Sequence, residues 1–212
     1  AVSGGSPEDF VDFKRFLSKS FISVKAYLDK IFRENMFNAQ VLKTFFLLYT
    51  DSLHLFQKNL LEKSSDSEFL HKIMESLENV DSSLSLESVK FIFSFSTGPT
   101  KLRALKAMQH FSTYDEGFLL KILEKGDYGL RKEALTILMR EKSSKEKAIE
   151  MLFSVSSPRG IKNRILIENV RITQELELKE AKDSLTVLSQ RKFFWNKNLR
   201  KEALKVLDKW NA

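Results

Sequence analysis

Side chains that commonly do chemistry in enzymes are too sparse in this sequence to form a recognisable catalytic or metal site. The three histidines, His54, His71 and His110, are isolated from one another, and the chain has no cysteine. There is no glycine-rich phosphate loop and no nucleophile elbow. Carboxylates such as Glu175 and Glu180 fall on expected helix surfaces, where solvation explains them. The sequence therefore predicts a protein that is not an enzyme and that holds no metal or cofactor.

The side chains best suited to binding a partner are a short aromatic run and a set of basic residues. Phe193, Phe194 and Trp195 follow one another in a predicted loop and are flanked by cations. They either plug the end of the hydrophobic core or protrude as an anchor, because aromatic residues dominate protein interfaces. The candidate basic residues are Arg103, Arg131, Lys132, Lys162, Arg164, Arg200 and Lys201.

Composition indicates which elements must position these side chains. The 42% of apolar and 30% of charged residues are typical of a globular protein, and the 7 glycines and 3 prolines are too few for a turn-rich all-β fold. The 18 phenylalanines predict a core filled with large apolar rings. No apolar run approaches the roughly 20 residues of a spanning helix, so we expect no membrane span.

Apolar spacing predicts helices along the whole chain. Residues 1–6 are expected to be a disordered N-terminal segment, after which apolar residues recur at spacings of three and four along a long helix. A second long helix is predicted over residues 38–61. Ser65 with Glu68 has the spacing of a capping box for a third helix.

One segment carries two conflicting signals. Apolar residues between Val89 and Phe95 alternate with period two, which indicates a strand, but a lone strand would have no partner, so the context favours a helix. Immediately after it, the Thr-Gly-Pro sequence at 97–99 is the clearest break in the chain. It predicts a boundary between a helical part over 7–96 and a second part of shorter helices over 97–212.

The second part contains an internal repeat. The sequence LRKEALTIL at 130–138 returns as LRKEALKVL at 199–207. A weaker copy is LRALKAM at 102–108, and a degenerate one is IKNRILI at 161–167. Successive copies begin 28, 31 and 38 residues apart, which leaves room for one pair of helices in each interval.

This pattern, in which an apolar and a basic residue precede Ala-Leu at the start of a second helix, resembles the HEAT repeat over residues 97–212. The resemblance implies an all-α fold, a curved and elongated α-solenoid of helical hairpins. The interval of 38 residues and the missing alanine of the third copy depart from the pattern. Residues 7–96 would then be diverged hairpins or a helical cap for the array.

The repeat gives the basic residues two interpretations. Stacked hairpins would align them as a positive stripe, and some HEAT-like proteins, including a family of DNA glycosylases, bind duplex DNA on such a concave basic face. Alternatively, each cation pairs with a carboxylate, either Asp127 or an acid of a neighbouring repeat. We favour the second interpretation.

The function that we expect is therefore a non-enzymatic scaffold that binds other proteins. Net charge supports assembly, because residues 1–95 carry −2 and residues 96–212 carry +9, which favours head-to-tail contacts and filaments. A flagellar sheath or envelope structure would be such an assembly, and a nucleic-acid-binding module, glycosylase activity included, is the alternative. The start at Ala1 without Met favours an exported, periplasmic protein with its leader removed over a cytoplasmic one.

Overall fold

The computed structural model describes residues 21–34, 37–48, 50–154, 159–191 and 194–211, and every regular element in these ranges is helical. The prediction of an all-α fold is confirmed. The predicted starting segment and the first part of the first long helix lie outside the described residues. The helices are α1 (Phe21–Glu34), α2 (Ala39–Leu48), α3 (Leu53–Glu62), α4 (Ser67–Glu78), α5 (Ser83–Phe95), α6 (Gly98–Ala107), α7 (Glu116–Lys125), α8 (Tyr128–Leu138), α9 (Lys142–Phe153), α10 (Ile161–Glu175), α11 (Lys182–Ser189) and α12 (Lys197–Asn211).

The described residues form two compact units, one ending at Tyr114 and one beginning at Asp115. The first unit contains α1–α6 and the second α7–α12. The Thr-Gly-Pro break at 97–99 is the start of α6 within the first unit, with Pro99 in the first helical turn, where a missing N–H leaves no hydrogen bond unmade. No helix in the described part of the chain is long and apolar enough to cross a membrane.

Phenylalanine rings form the centre of the first unit. Phe56 on α3 is fully buried, and its ring centroid lies 5.4 Å from Phe32, 5.6 Å from Phe45 and 5.4 Å from Phe46. Each helix here packs against the helix two places along the chain, with α1 on α3, α2 on α4, α3 on α5 and α4 on α6, and α5 also packs against its neighbours α4 and α6. The segment between Val89 and Phe95, whose alternation resembled a strand, belongs to α5, so the choice of helix is confirmed.

Helices of the second unit form three consecutive pairs, α7 with α8, α9 with α10 and α11 with α12, and α9 also packs against α7 and α8. The second members of the pairs also contact one another in succession, α8 on α10 and α10 on α12. Between α7 and α8, Gly126 is required, because a Cβ atom there would lie 2.6 Å from the carbonyl oxygen of Ile122. Fully buried residues of the second members include Ala134, Leu135, Val170, Ala203 and Val206.

The second long helix predicted over 38–61 is wrong, because it is two helices. α2 ends at Leu48, α3 begins at Leu53, and Thr50–Ser52 forms a single 3-10 turn between them. Thr, Asp and Ser side chains compete for backbone hydrogen bonds and are poor helix formers, so three in succession interrupt an apolar pattern that is otherwise continuous.

Helix α4 is capped by a different residue from the one predicted. The Asp66 carboxylate accepts a hydrogen bond from the backbone N–H of Phe69 at 2.9 Å, and Glu68 pairs with Lys72 at 2.7 Å, so the Ser65–Glu68 capping box is wrong. Asp66→Ala should lower the free energy of unfolding by about 1 kcal/mol, because a helical N–H loses its partner. Ser65→Ala is the matched control and should have almost no effect in urea denaturation. Equal losses for both variants would contradict the assignment of the cap.

Candidate partner-binding surface

One face of α12 carries a row of cations around an exposed leucine. Leu204 is 43% exposed, although the helix buries Ala203 and Val206 beside it. None of the four cations of this face bonds to another residue in the described part of the chain. The face lines an open depression of about 500 Å³, and we call it the terminal stripe: Lys197, Arg200, Lys201, Leu204, Lys205 and Asp208.

The matching face of α8 is covered by α10. Arg131 is 2% exposed, and its guanidinium donates to the Glu168 carboxylate, to the Asn169 side-chain oxygen and, at 3.4 Å, to the carbonyl oxygen of Ile165. The Lys132 ammonium lies 2.6 Å from the Glu175 carboxylate. The acids that pair with these cations thus come from the next helical pair.

Asn169 connects the covered face to a third helix. Its side-chain oxygen accepts from Arg131 on α8, and its side-chain nitrogen donates to the carbonyl oxygen of Leu152 on α9 at 2.9 Å. The Asn169 residue is only 4% exposed, so both hydrogen bonds are made away from solvent.

Several corresponding positions of the two repeat copies are equally buried, and others differ. Ala134 and Ala203 are both fully buried, as are the positions three residues after each alanine. In contrast, Leu135 is fully buried whereas its counterpart Leu204 is 43% exposed. The first leucine of the repeat also differs, because Leu130 is half-buried and its counterpart Leu199 is fully buried. The burial that α12 lacks, however, lies on the flank that α10 covers in α8.

The remaining basic candidates do not gather into one site. Arg103 pairs with Glu78 inside the first unit, and Arg164 pairs with Glu168 at 3.2 Å on its own helix. Lys162 is exposed at the start of α10. Of the seven basic candidates, only Arg200 and Lys201 lie on the terminal stripe.

Two of the three aromatic candidates, Phe194 and Trp195, lie in a single 3-10 turn before α12. Phe193 lies outside the described residues, whereas Phe194 is 85% exposed and packs edge-on against Trp195. The Arg159 guanidinium lies 4.5 Å from the Trp195 ring centroid, and the side-chain amide of Asn163 donates to the Trp195 carbonyl oxygen at 2.8 Å. Trp195 is thus held in place, and Phe194 projects from it.

Sequence reasoning missed Lys197, Leu204 and Lys205 on the terminal stripe. The signal was available for the cations, because Lys197, Lys201 and Lys205 recur every fourth residue and so share a helix face. The repeat motif alone gives no sign that Leu204 is exposed where Leu135 is buried.

The contact between α8 and α10 has a predicted signature at alkaline pH. Burial, followed by the hydrogen bond from its hydroxyl to Glu175, raises the pKa of Tyr128 from 10.0 to about 12. The folded state thus binds this proton more tightly than the unfolded state, and its stabilising contribution is complete below pH 10.0 and lost as the pH rises through about 12. Tyr128→Phe should therefore lose less stability than the wild type over that interval.

Urea denaturation of both proteins at a series of pH values checks this effect, since the other titrating groups are shared and cancel in the difference. Parallel loss of stability in the two proteins would contradict it. On the acid side, hydrogen bonds from Lys132 and then Tyr128 lower the pKa of Glu175. Its contribution is present above its ordinary pKa of 4.5 and is lost as the pH falls through the lowered value.

The described residues contain no group of three or more His, Cys, Asp or Glu side chains that could hold a metal ion. The terminal stripe and the projecting Phe194 are the two surfaces that we consider as candidates for binding a partner. Comparison with protein-family models, with curated proteins and with solved structures found no match for this chain.

Proposed function

We propose that this protein is a non-enzymatic scaffold, built from HEAT-like helical pairs stacked as a solenoid, that binds other proteins within a larger assembly. The succession of α8, α10 and α12 supports the stacking, because repeat proteins bury each unit against its neighbours. The alternate-helix packing of α1–α6 agrees with diverged pairs in the first unit.

The terminal stripe is the observation that carries the proposal. It places an exposed leucine among charged side chains, and interfaces characteristically combine an apolar centre with a polar rim. Phe194 provides a second exposed apolar group, of the aromatic type that is enriched in binding hot spots.

Site-specific photo-crosslinking in the native cell fraction tests this function. A photoreactive residue at Leu204 or at Phe194 should form crosslinks to defined proteins, and one at Val187 on α11 is the matched control, since Val187 is also exposed. Crosslinks that are absent at all three positions, or equally abundant at all three, would overturn the proposal.

A nucleic-acid-binding module is the second candidate. The four cations of the terminal stripe favour it, because they pair with none of the residues that the structure describes. Phosphate contacts release counterions, so this function requires a mobility shift that weakens steeply from low to moderate salt. Wild type should be compared with Lys197→Ala/Lys205→Ala. Absence of a shift at low salt would exclude this candidate.

A further inference from the structure

We infer that the terminal stripe binds an amphipathic helix of a partner protein that carries two carboxylates seven residues apart. This inference rests on the proposed function and specifies the chemistry of the partner. Its basis is that α8 contacts such a helix, α10, and that the counterparts on α12 of the contacting α8 residues form the terminal stripe.

The covered face of α8 shows what the partner helix must present. Glu168 and Glu175 are seven residues apart, two helical turns, so both lie on the same face of α10. Arg131 bonds to the first of them, and Lys132 bonds to the second. Between the two acids, Ile172 is fully buried, so the acid pair encloses an apolar centre.

The residues of α8 that line this contact have counterparts on the terminal stripe. Arg200 occupies the position of Arg131, Lys201 that of Lys132, and Leu204 that of Leu135 in the aligned copies. Lys197 and Lys205 replace Tyr128 and a threonine, and Asp208 replaces Met139. The stripe therefore carries one more net positive charge than its precedent and favours an acidic helix.

The other side of α12 is already occupied, which leaves the stripe as its open flank. Glu202 pairs with Arg171 of α10 at 3.0 Å. Two residues correspond to about 200° of helical rotation, so Glu202 and Arg200 point in nearly opposite directions. α12 therefore contacts α10 with one flank and presents the other, as α8 would if α10 were removed.

The leucine at the centre of the stripe favours a protein helix over nucleic acid. A phosphate backbone offers charge and hydrogen-bond acceptors but nothing that buries an aliphatic side chain. Leu135, the counterpart of Leu204, is fully buried in the contact-bearing helix. A helix with an apolar centre satisfies both the cations and the leucine.

The test uses the full chain and a labelled synthetic peptide based on Ile161–Glu175, with Lys162→Ala, Arg164→Ala and Arg171→Ala to remove its cations. Because an isolated helix of this length is marginal, the peptide is crosslinked on the face opposite to Glu168. The matched peptide carries Glu168→Gln and Glu175→Gln. In fluorescence anisotropy, the acidic peptide should bind about tenfold more tightly than the Gln peptide.

Variants of the exposed stripe assign the binding to α12. Leu204→Ala should weaken the acidic peptide about tenfold, and Val187→Ala should leave it unchanged. Arg200→Glu/Lys201→Glu should reverse the preference, binding a peptide with Glu168→Lys and Glu175→Lys more tightly than the acidic one. Equal binding of the acidic and Gln peptides, no binding at all, or indifference to Leu204→Ala would overturn the inference.

Two further outcomes would assign the stripe to another occupant and overturn the inference. One is self-association of the wild type in sedimentation that Leu204→Ala abolishes, which indicates a second copy of the chain. The other is displacement of the acidic peptide by duplex DNA at moderate salt. If the peptide does not bind but protein crosslinks still form at residue 204, only the inference of an acidic helix is rejected. If no crosslinks form at any of the positions tested, the proposed function itself is rejected.

Discussion

Arg131→Ala should lower the free energy of unfolding of the second unit by about 3 kcal/mol. The guanidinium is 2% exposed and bonds to Glu168 and Asn169, and its removal leaves a partly buried carboxylate and a buried amide oxygen without these partners. Both tryptophans of the chain lie in this unit, so tryptophan fluorescence during urea denaturation reports on it.

Arg200→Ala is the matched control, because Arg200 occupies the same place in the repeat on the open flank of α12. Its loss should stay within about 0.5 kcal/mol. Arg131→Met in combination with Glu168→Gln should recover part of the stability, since a buried ion pair replaced by neutral groups of similar volume leaves no uncompensated charge. Equal losses for Arg131→Ala and Arg200→Ala would show that the flank of α8 is not covered in solution.

Phe56→Ala should be the most damaging truncation of the first unit, with a loss of about 4 kcal/mol. The side chain is completely buried, and three other rings lie with their centroids within 5.6 Å of its own. Those rings belong to α1 and α2, so the cavity would open where three helices meet.

Far-ultraviolet circular dichroism during urea denaturation measures this loss. Phe56→Leu keeps most of the side-chain volume and should lower the free energy of unfolding by roughly 1 kcal/mol. The difference between the two variants therefore measures the effect of the cavity. Phe194→Ala removes an equally large ring that is 85% exposed, and its stability should change by less than about 0.5 kcal/mol. A comparable loss in Phe56→Ala and Phe194→Ala would contradict the packing of the aromatic core.

The helices could be predicted from the sequence because the context of each segment indicated a helix even where the local apolar pattern indicated a strand. The alternation between Val89 and Phe95 forms helix α5, since the described chain supplies no strand for it to pair with. The repeat motif also located the starts of α8 and α12. Breaks between helices were harder to predict. The break at Thr50–Ser52 depends on a few polar side chains that compete for backbone hydrogen bonds, and the apolar pattern continues through them.

The surroundings of the repeat residues were not predictable from the motif. The local sequences around Arg131 and Arg200 are almost identical, yet one guanidinium is buried and the other faces an open depression. What differs is whether another helical pair packs on that flank, which is information about the rest of the chain. Asp127, a candidate partner of the cations, instead caps α8 by accepting a hydrogen bond from the backbone N–H of Leu130 at 2.9 Å.

The position of Asn169 has a consequence for how the second unit opens. Because one amide group bonds to Arg131 on α8 and to a carbonyl of α9 while belonging to α10, none of the three helices can separate without breaking a solvent-shielded hydrogen bond. Backbone amides of α8, α9 and α10 should therefore exchange hydrogen for deuterium at a common slow rate, as a single foldon. Replacing the side chain, as in Asn169→Ala, should divide that foldon into independently exchanging parts.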